Sequence, residues 1–163
     1  MADPSRTFIP TLYYRDPITA IRWLEQAFGF ELNALVTDDK GRVGHSEMSY
    51  RDAVLNVHSE FSSPDLLGPA EMKSPLALGG GCSQSMRVMV EDDVDGHCER
   101  ARKAGARITA APADQFYGER IYRALDPEGH VWVFAQPTQT LTFDEMEKAT
   151  GLKFSTSLDE VKS

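Results

Sequence analysis

The sequence has little of what would tie it to a membrane, a nucleic acid or an oxidising compartment. No apolar run approaches the ~20 residues that cross a bilayer as a helix. The opening stretch Met1-Ala2-Asp3-Pro4-Ser5-Arg6-Thr7 has no apolar core of a secretory signal, so a cytoplasmic protein is expected. Basic residues are scarce: 17 Lys and Arg stand against 25 Asp and Glu, a net charge of −8. A duplex or an anionic membrane is repelled by that balance, so neither nucleic acid nor membrane is an expected partner. Cysteine is confined to Cys82 and Cys98. Their spacing matches neither a zinc site nor a disulfide framework, and Cys98 reads as a small buried residue on a helix. Gly79-Gly80-Gly81 lacks a following Lys-Ser/Thr and any Rossmann spacing, so no phosphate loop is present. No nucleophile–base constellation is legible in the order of residues.

With 163 residues and 41% hydrophobic content, the chain suits one domain or two half-domains sharing a core. Residues 8–15 read as a strand. Asp16-Pro17 then supplies a cap and a first-turn proline. Ile18, Ile21, Trp23, Leu24 and Phe28 recur at helical spacing up to Gly29. Strands follow at 31–37, 43–50 and 53–58, giving β-α-β-β-β. Residues 61–84, with Pro64, Pro69, Pro75 and the glycine run, form a connection laid over the surface, either a lid or a plain linker. The order then repeats: a strand at 85–90, a helix at 93–104 with Val94, Cys98 and Ala101 on one face, and strands at 106–111, 119–125 and 130–135. The capping aspartates Asp16 and Asp93 and the helix-end alanines Ala27 and Ala104 share one offset, so the repeat is one of pattern. Thr142-Phe143-Asp144-Glu145 is a capping box opening a short helix over 143–150 that ends at Gly151. The expected organisation is a first module at 1–60, a linker or lid at 61–84, a second module at 85–137, and a C-terminal helix and frayed tail at 138–163.

The hairpin at the end of the second module carries the most specific pattern. Asp126-Pro127-Glu128-Gly129 is a turn in which proline presets φ, glycine accepts positive φ and aspartate bonds forward to the backbone. Tyr117-Gly118-Glu119-Arg120, then Asp126-Pro127-Glu128-Gly129-His130, then Trp132-Val133-Phe134 resembles the closing hairpin of the vicinal oxygen chelate superfamily of glyoxalases, extradiol dioxygenases and bleomycin-binding resistance proteins. With the repeat, the resemblance runs from about Phe8 to Gln136. It implies an α+β fold of two βαβββ modules whose open sheet faces enclose a pocket, and pairing into a homodimer.

In metal-using members of that family, the first strand of each module usually supplies a histidine and the last strand a glutamate. Counting back from the capping aspartates places the histidine positions at Ile9 and Met86, and the glutamate position falls at Val133. None is a ligand for a hard or borderline cation, and neighbours Phe8, Pro10, Ser85, Arg87, Trp132 and Phe134 are no better. No metal and no cofactor are therefore expected. Alternation places His45 and Glu47 on the open face. The pair suits binding or acid–base work, a displaced metal site, or a plain solvated strand. Tyr13 and Thr11 share the parity of the absent first ligand. Arg120 and Tyr122, just after Tyr117-Gly118, are expected at the pocket mouth, where an arginine receives a carboxylate or a planar aromatic; the competing role for Arg120 is a rim ion pair. His58, His97 and His130 read as surface or turn residues. The expected pocket is thus Tyr13, His45, Glu47, Arg87, Tyr117, Arg120 and Tyr122, taking an aromatic or carboxylate-bearing small molecule for sequestration or sensing. The alternative is a lyase, isomerase or dioxygenase of the same superfamily, using a displaced metal or His45 and Glu47 as acid and base.

Overall fold

A computed structural model describes residues 6–160 of the chain; residues 1–5 and 161–163, on which the leader and tail expectations partly fall, lie outside it. Each module starts from its helix. Asp16 caps α1 (Pro17–Phe28) by accepting from Thr19 N at 3.1 Å, and Pro17 occupies the first turn, where its missing N–H costs nothing. Gly29 ends the helix at φ +79°, a conformation that glycine adopts without strain. Asp93 caps α3 (Val94–Lys103) in the same way through Gly96 N, at 3.0 Å. Ala20, Ile21, Leu24, Ala27 and Phe28 on α1, and Val94, Cys98 and Ala101 on α3, are buried.

The strands around α1 are β1 (Thr11–Tyr14), β2 (Glu31–Thr37), β3 (Val43–Tyr50) and β4 (Ala53–Ser59), in sheet order β1-β4-β3-β2. The second module repeats this with β7 (Ser85–Met89), β8 (Arg107–Gln115), β9 (Glu119–Leu125) and β10 (Val131–Pro137), in order β7-β10-β9-β8. In each sheet the first strand runs parallel to the last and the remaining pairs are antiparallel. The fold is therefore α+β with two βαβββ modules.

Both helices enter a single core. Leu12, Tyr14, Met48, Leu55 and Val57 from the first sheet join Tyr122, Ala124, Trp132 and Phe134 from the second, with Phe28 and Phe30 between them. Phe28 lies 5.1 Å from the Trp132 ring and 4.6 Å from that of Phe134. The last carbonyls of α1 need partners, because a helix end leaves them unpaired. Side chains of α3 supply these: Arg100 donates to Glu25 O and Gln26 O at 2.8 Å each, and His97 Nε2 donates to Phe28 O at 3.0 Å. Positive charge at that helix end is favourable as well.

The Asp126–Gly129 turn adds a second tie. The buried Asp126 carboxylate accepts from Tyr14 Oη at 2.7 Å, Trp132 Nε1 at 3.0 Å, and the N–H groups of Glu128 and His130 at 3.0 Å each. Glu128 accepts from the backbone N–H groups of Arg15 and Asp16, at 2.8 and 2.9 Å. A turn resembling an ordinary hairpin closure thus clamps the module junction.

Residues 61–84 hold more structure than a linker. Strands β5 (Phe61–Ser62) and β6 (Glu71–Met72) pair, enclosing one helical turn, α2 (Pro64–Leu67), and a 3-10 turn follows at Pro75–Leu78. Ser74 is fully buried, with its N–H donated to Glu60 at 3.0 Å. The C-terminal helix α4 (Phe143–Thr150) has both halves of its capping box, Thr142 with Glu145, and stops at Gly151.

Candidate functional site

Alternation along the strands defines an inner face under the helices and an open face. On β1 and β4 the inner positions are Leu12, Tyr14, Leu55 and Val57, which leaves Thr11, Tyr13, Asn56 and His58 on the open face. In the β1–β4 ladder Tyr13 stands opposite His58, their rings 5.9 Å apart and edge-on. His45 on β3 sets its ring 5.7 Å from that of His58. Three rings therefore line up across the first module: Tyr13, His58, His45. Glu47 shares this face and is held by Arg6 at 3.0 Å.

A cavity of about 480 Å³ adjoins the array, lined by Tyr13 and His58 with Val36, Val43 and Phe61 among its apolar walls. Its charged residues are already engaged. Arg42 Nε donates to Asp38 at 2.7 Å, and Glu60 takes Ser74 N and lies 3.8 Å from Arg15. His58 Nε2 is the one buried side-chain nitrogen or oxygen among the described residues without a hydrogen-bond partner. Burial, and then the neighbouring His45, lower the His58 pKa, which favours a neutral ring.

On the second module's open face, Arg87 of β7 reaches across β10 to pair with Glu119 of β9. Glu119 and Tyr117 both favour the charged guanidinium. The row Met89, Ala135, Ile121 lies beneath, with Ala135 and Ile121 buried. Arg87 also lines a separate cleft of about 460 Å³ with Phe8, Tyr50, Arg51 and Met89. Tyr13 and Arg87 thus line different clefts.

Two of the expected pocket residues are elsewhere. Tyr122 is fully buried on the inner face. It stands opposite Phe134 in the β9–β10 ladder and stacks on it at 5.0 Å. Its hydroxyl lies 2.7 Å from His97 Nδ1. Because His97 Nε2 faces a carbonyl, that nitrogen carries the proton, and Nδ1 accepts from Tyr122. Arg120 shares that parity and faces α3, where Asp95 binds it by two hydrogen bonds, at 2.7 and 2.9 Å, and Asp114 at 3.1 Å. This is an ion-pair role, with each of the three guanidinium nitrogens engaged by a carboxylate. His97 and His130 are structural too. His130 is buried and donates from Nε2 to Tyr13 O at 2.9 Å.

His58 was not foreseen as a site residue, although Leu55 and Val57 as inner residues would have turned it outward. Met86, counted as a ligand position, packs against the core, so the open positions on that strand are Ser85, Arg87 and Met89. Neither Ile9 and Val133 nor the neighbours of Met86 on the open face, Ser85 and Arg87, fit a divalent ion. Among the described residues no group of three or more His, Cys, Asp or Glu side chains gathers to hold one. No described helix is long and apolar enough to cross a membrane.

Comparison with known proteins places this geometry in context. A sequence model described as the Glyoxalase/Bleomycin resistance protein/Dioxygenase superfamily matches residues 8–134. An uncharacterised protein of Mycobacterium bovis, Mb0911c, is 29% identical over 140 residues, covering 86% of this chain and 89% of its own length. Among solved structures, TioX from Micromonospora sp. ML1 is 29% identical with a TM-score of 0.60, over 80% of this chain and 97% of its own. The fosfomycin resistance protein FosX of Listeria monocytogenes shares the fold at 14% identity and a TM-score of 0.57, over 90% of this chain and 99% of its own.

Proposed function

The chain belongs to the glyoxalase/bleomycin resistance protein/dioxygenase superfamily, and from that premise we propose that it binds a small aromatic molecule on its open faces, without a catalytic metal, to sequester or sense it. The observation that carries this reading is the ring array of Tyr13, His58 and His45 beside a largely apolar cavity of about 480 Å³. That volume lies in the range of ordinary small-molecule sites. Reactions of this superfamily that polarise vicinal oxygens need a Lewis acid, and Ile9, Val133 and the β7 residues Ser85, Met86 and Arg87 are not its ligands. Glu47, the other half of a possible acid–base pair, is engaged by Arg6. The sequence reading included carboxylate ligands because of Arg120; with Arg120 bound by Asp95 and Asp114, aromatic ligands are favoured.

The working unit in this reading is a homodimer. Every residue of β2 is exposed, including Leu32, Leu35 and Val36, and Phe8, Ile9 and Met89 are exposed too. Apolar side chains grouped on an uncovered strand suit an interface, and a two-fold pair is the commonest closed arrangement.

A thermal-shift screen of small aromatic compounds tests the proposal. Compounds that raise the melting temperature of the wild type should lose that effect on Tyr13→Ala and His45→Ala, while both variants keep an unliganded melting temperature near that of the wild type. Stabilisation that survives both substitutions would place the ligand elsewhere.

A further inference from the structure

Resting on the reading of the first open face as a binding surface, we propose that the ligand is a neutral hydroxy-aromatic compound whose hydroxyl bonds His58 Nε2, reached past the ring of Tyr13. Buried polar atoms in native proteins are nearly always paired, and an exception calls for a partner. Among the described residues the exception is a single atom, His58 Nε2. The rings beside this imidazole are those of Tyr13 and His45, and neither supplies a hydrogen bond to Nε2. Tyr13 can yield, because it is only half-buried. It also lines two cavities, of about 480 and 280 Å³, so its ring has space to turn into.

The polar group of the ligand follows from the imidazole. A neutral histidine offers an acceptor or a donor at Nε2, depending on its tautomer. A hydroxyl is both, and so it satisfies either. Ligand charge follows from the lining. Among the described residues lining the larger cavity Arg42 is the only Lys or Arg, and Asp38 engages it; Glu60 adds a further carboxylate. A carboxylate ligand would meet acids and no free cation. Tyr13 and Phe61 supply aromatic walls, against which a planar ring packs favourably.

The test uses full-length protein with nitrogen-15 histidine at about pH 7.5, above the ordinary imidazole range. Three probes differ in one group: 2-naphthol, 2-methoxynaphthalene and 2-naphthoate. The His58 signals are assigned by their loss in His58→Phe. The expected result is a shift of the Nε2 resonance with 2-naphthol, which should bind about tenfold tighter than 2-methoxynaphthalene, with 2-naphthoate weakest. In His58→Phe the advantage of the hydroxyl should vanish. An unmoved Nε2 signal, equal affinity for the naphthol and its methyl ether, or tightest binding by the naphthoate would overturn the proposal. The comparison of 2-naphthol with its methyl ether is made on wild type, so it stands even if His58→Phe folds poorly. Aromatic binding that ignores His58→Phe would defeat this inference and leave the open-face reading intact. No binding by any of the probes, nor by a wider aromatic set, would defeat both.

Discussion

The Tyr14 hydroxyl donates to the Asp126 carboxylate at 2.7 Å, joining the first strand of one module to the closing turn of the other. Burial and then the adjacent Asp126 hold the Tyr14 pKa well above its ordinary value, so the bond keeps its donor at any physiological pH. Tyr14→Phe removes one of the donors to a buried carboxylate and should cost about 1–3 kcal/mol of stability. Urea unfolding followed by tryptophan fluorescence reads this directly. A loss confined to a few tenths of a kcal/mol would mean that water replaces the phenol.

His97 gives the fold a pH dependence. Burial lowers its pKa below the unfolded value near 6.5, and its two nitrogens are taken by Tyr122 and Phe28 O. As pH falls through the unfolded pKa, the unfolded chain binds protons that the folded chain refuses, so stability drops; the drop levels off once the folded imidazole titrates. His58 adds a loss of the same sign. The urea midpoint should therefore fall between about pH 7.5 and about pH 5, and His97→Gln should show a shallower fall than wild type. Identical slopes in the two proteins would assign the acid sensitivity to other groups.

Arg120 is expected to behave as a structural residue. Its partners Asp95 and Asp114 are exposed, so Arg120→Ala should leave ligand affinity unchanged and lower the melting temperature modestly. A large loss of ligand binding with an unchanged melting temperature would return Arg120 to the pocket.

Dimer formation is checked by light scattering. The wild type should run at twice the 18.1 kDa of one chain, and Leu35→Glu, which places a charge on exposed β2, should shift it toward the monomer. A wild-type monomer at micromolar concentration would remove the dimer from the account.

Much of the fold was legible because caps and helical periodicity are local signals. Asp16, Asp93 and Thr142 start helices as their types suggest, and Val94, Cys98 and Ala101 form the buried stripe that their spacing announces. Facing was harder where both sides of a strand carry amphipathic residues. Tyr122 has an apolar ring and a polar tip and suits either side. Only its place opposite Phe134 decides, and that follows from the length of the Asp126–Gly129 turn. The count that reached Met86 failed for a similar reason. Val90 is the last inner residue before Asp93, whereas Tyr14 is the last before Asp16, so the second connection is one residue longer. The ladder of β5 with β6 is too short to leave a period in the sequence. The unpaired nitrogen of His58 is a property of packing and has no sequence signature.

The central claim is that Tyr13, His58 and His45 form the binding surface. Isothermal titration of the best aromatic ligand from the thermal-shift screen tests it most directly, on wild type, Tyr13→Ala, His58→Phe, His45→Ala and Arg120→Ala. The account predicts one ligand per chain for wild type and for Arg120→Ala, with affinity about tenfold or more weaker in each of the other three. Unchanged affinity in the three open-face variants, or a loss confined to Arg120→Ala, would contradict it.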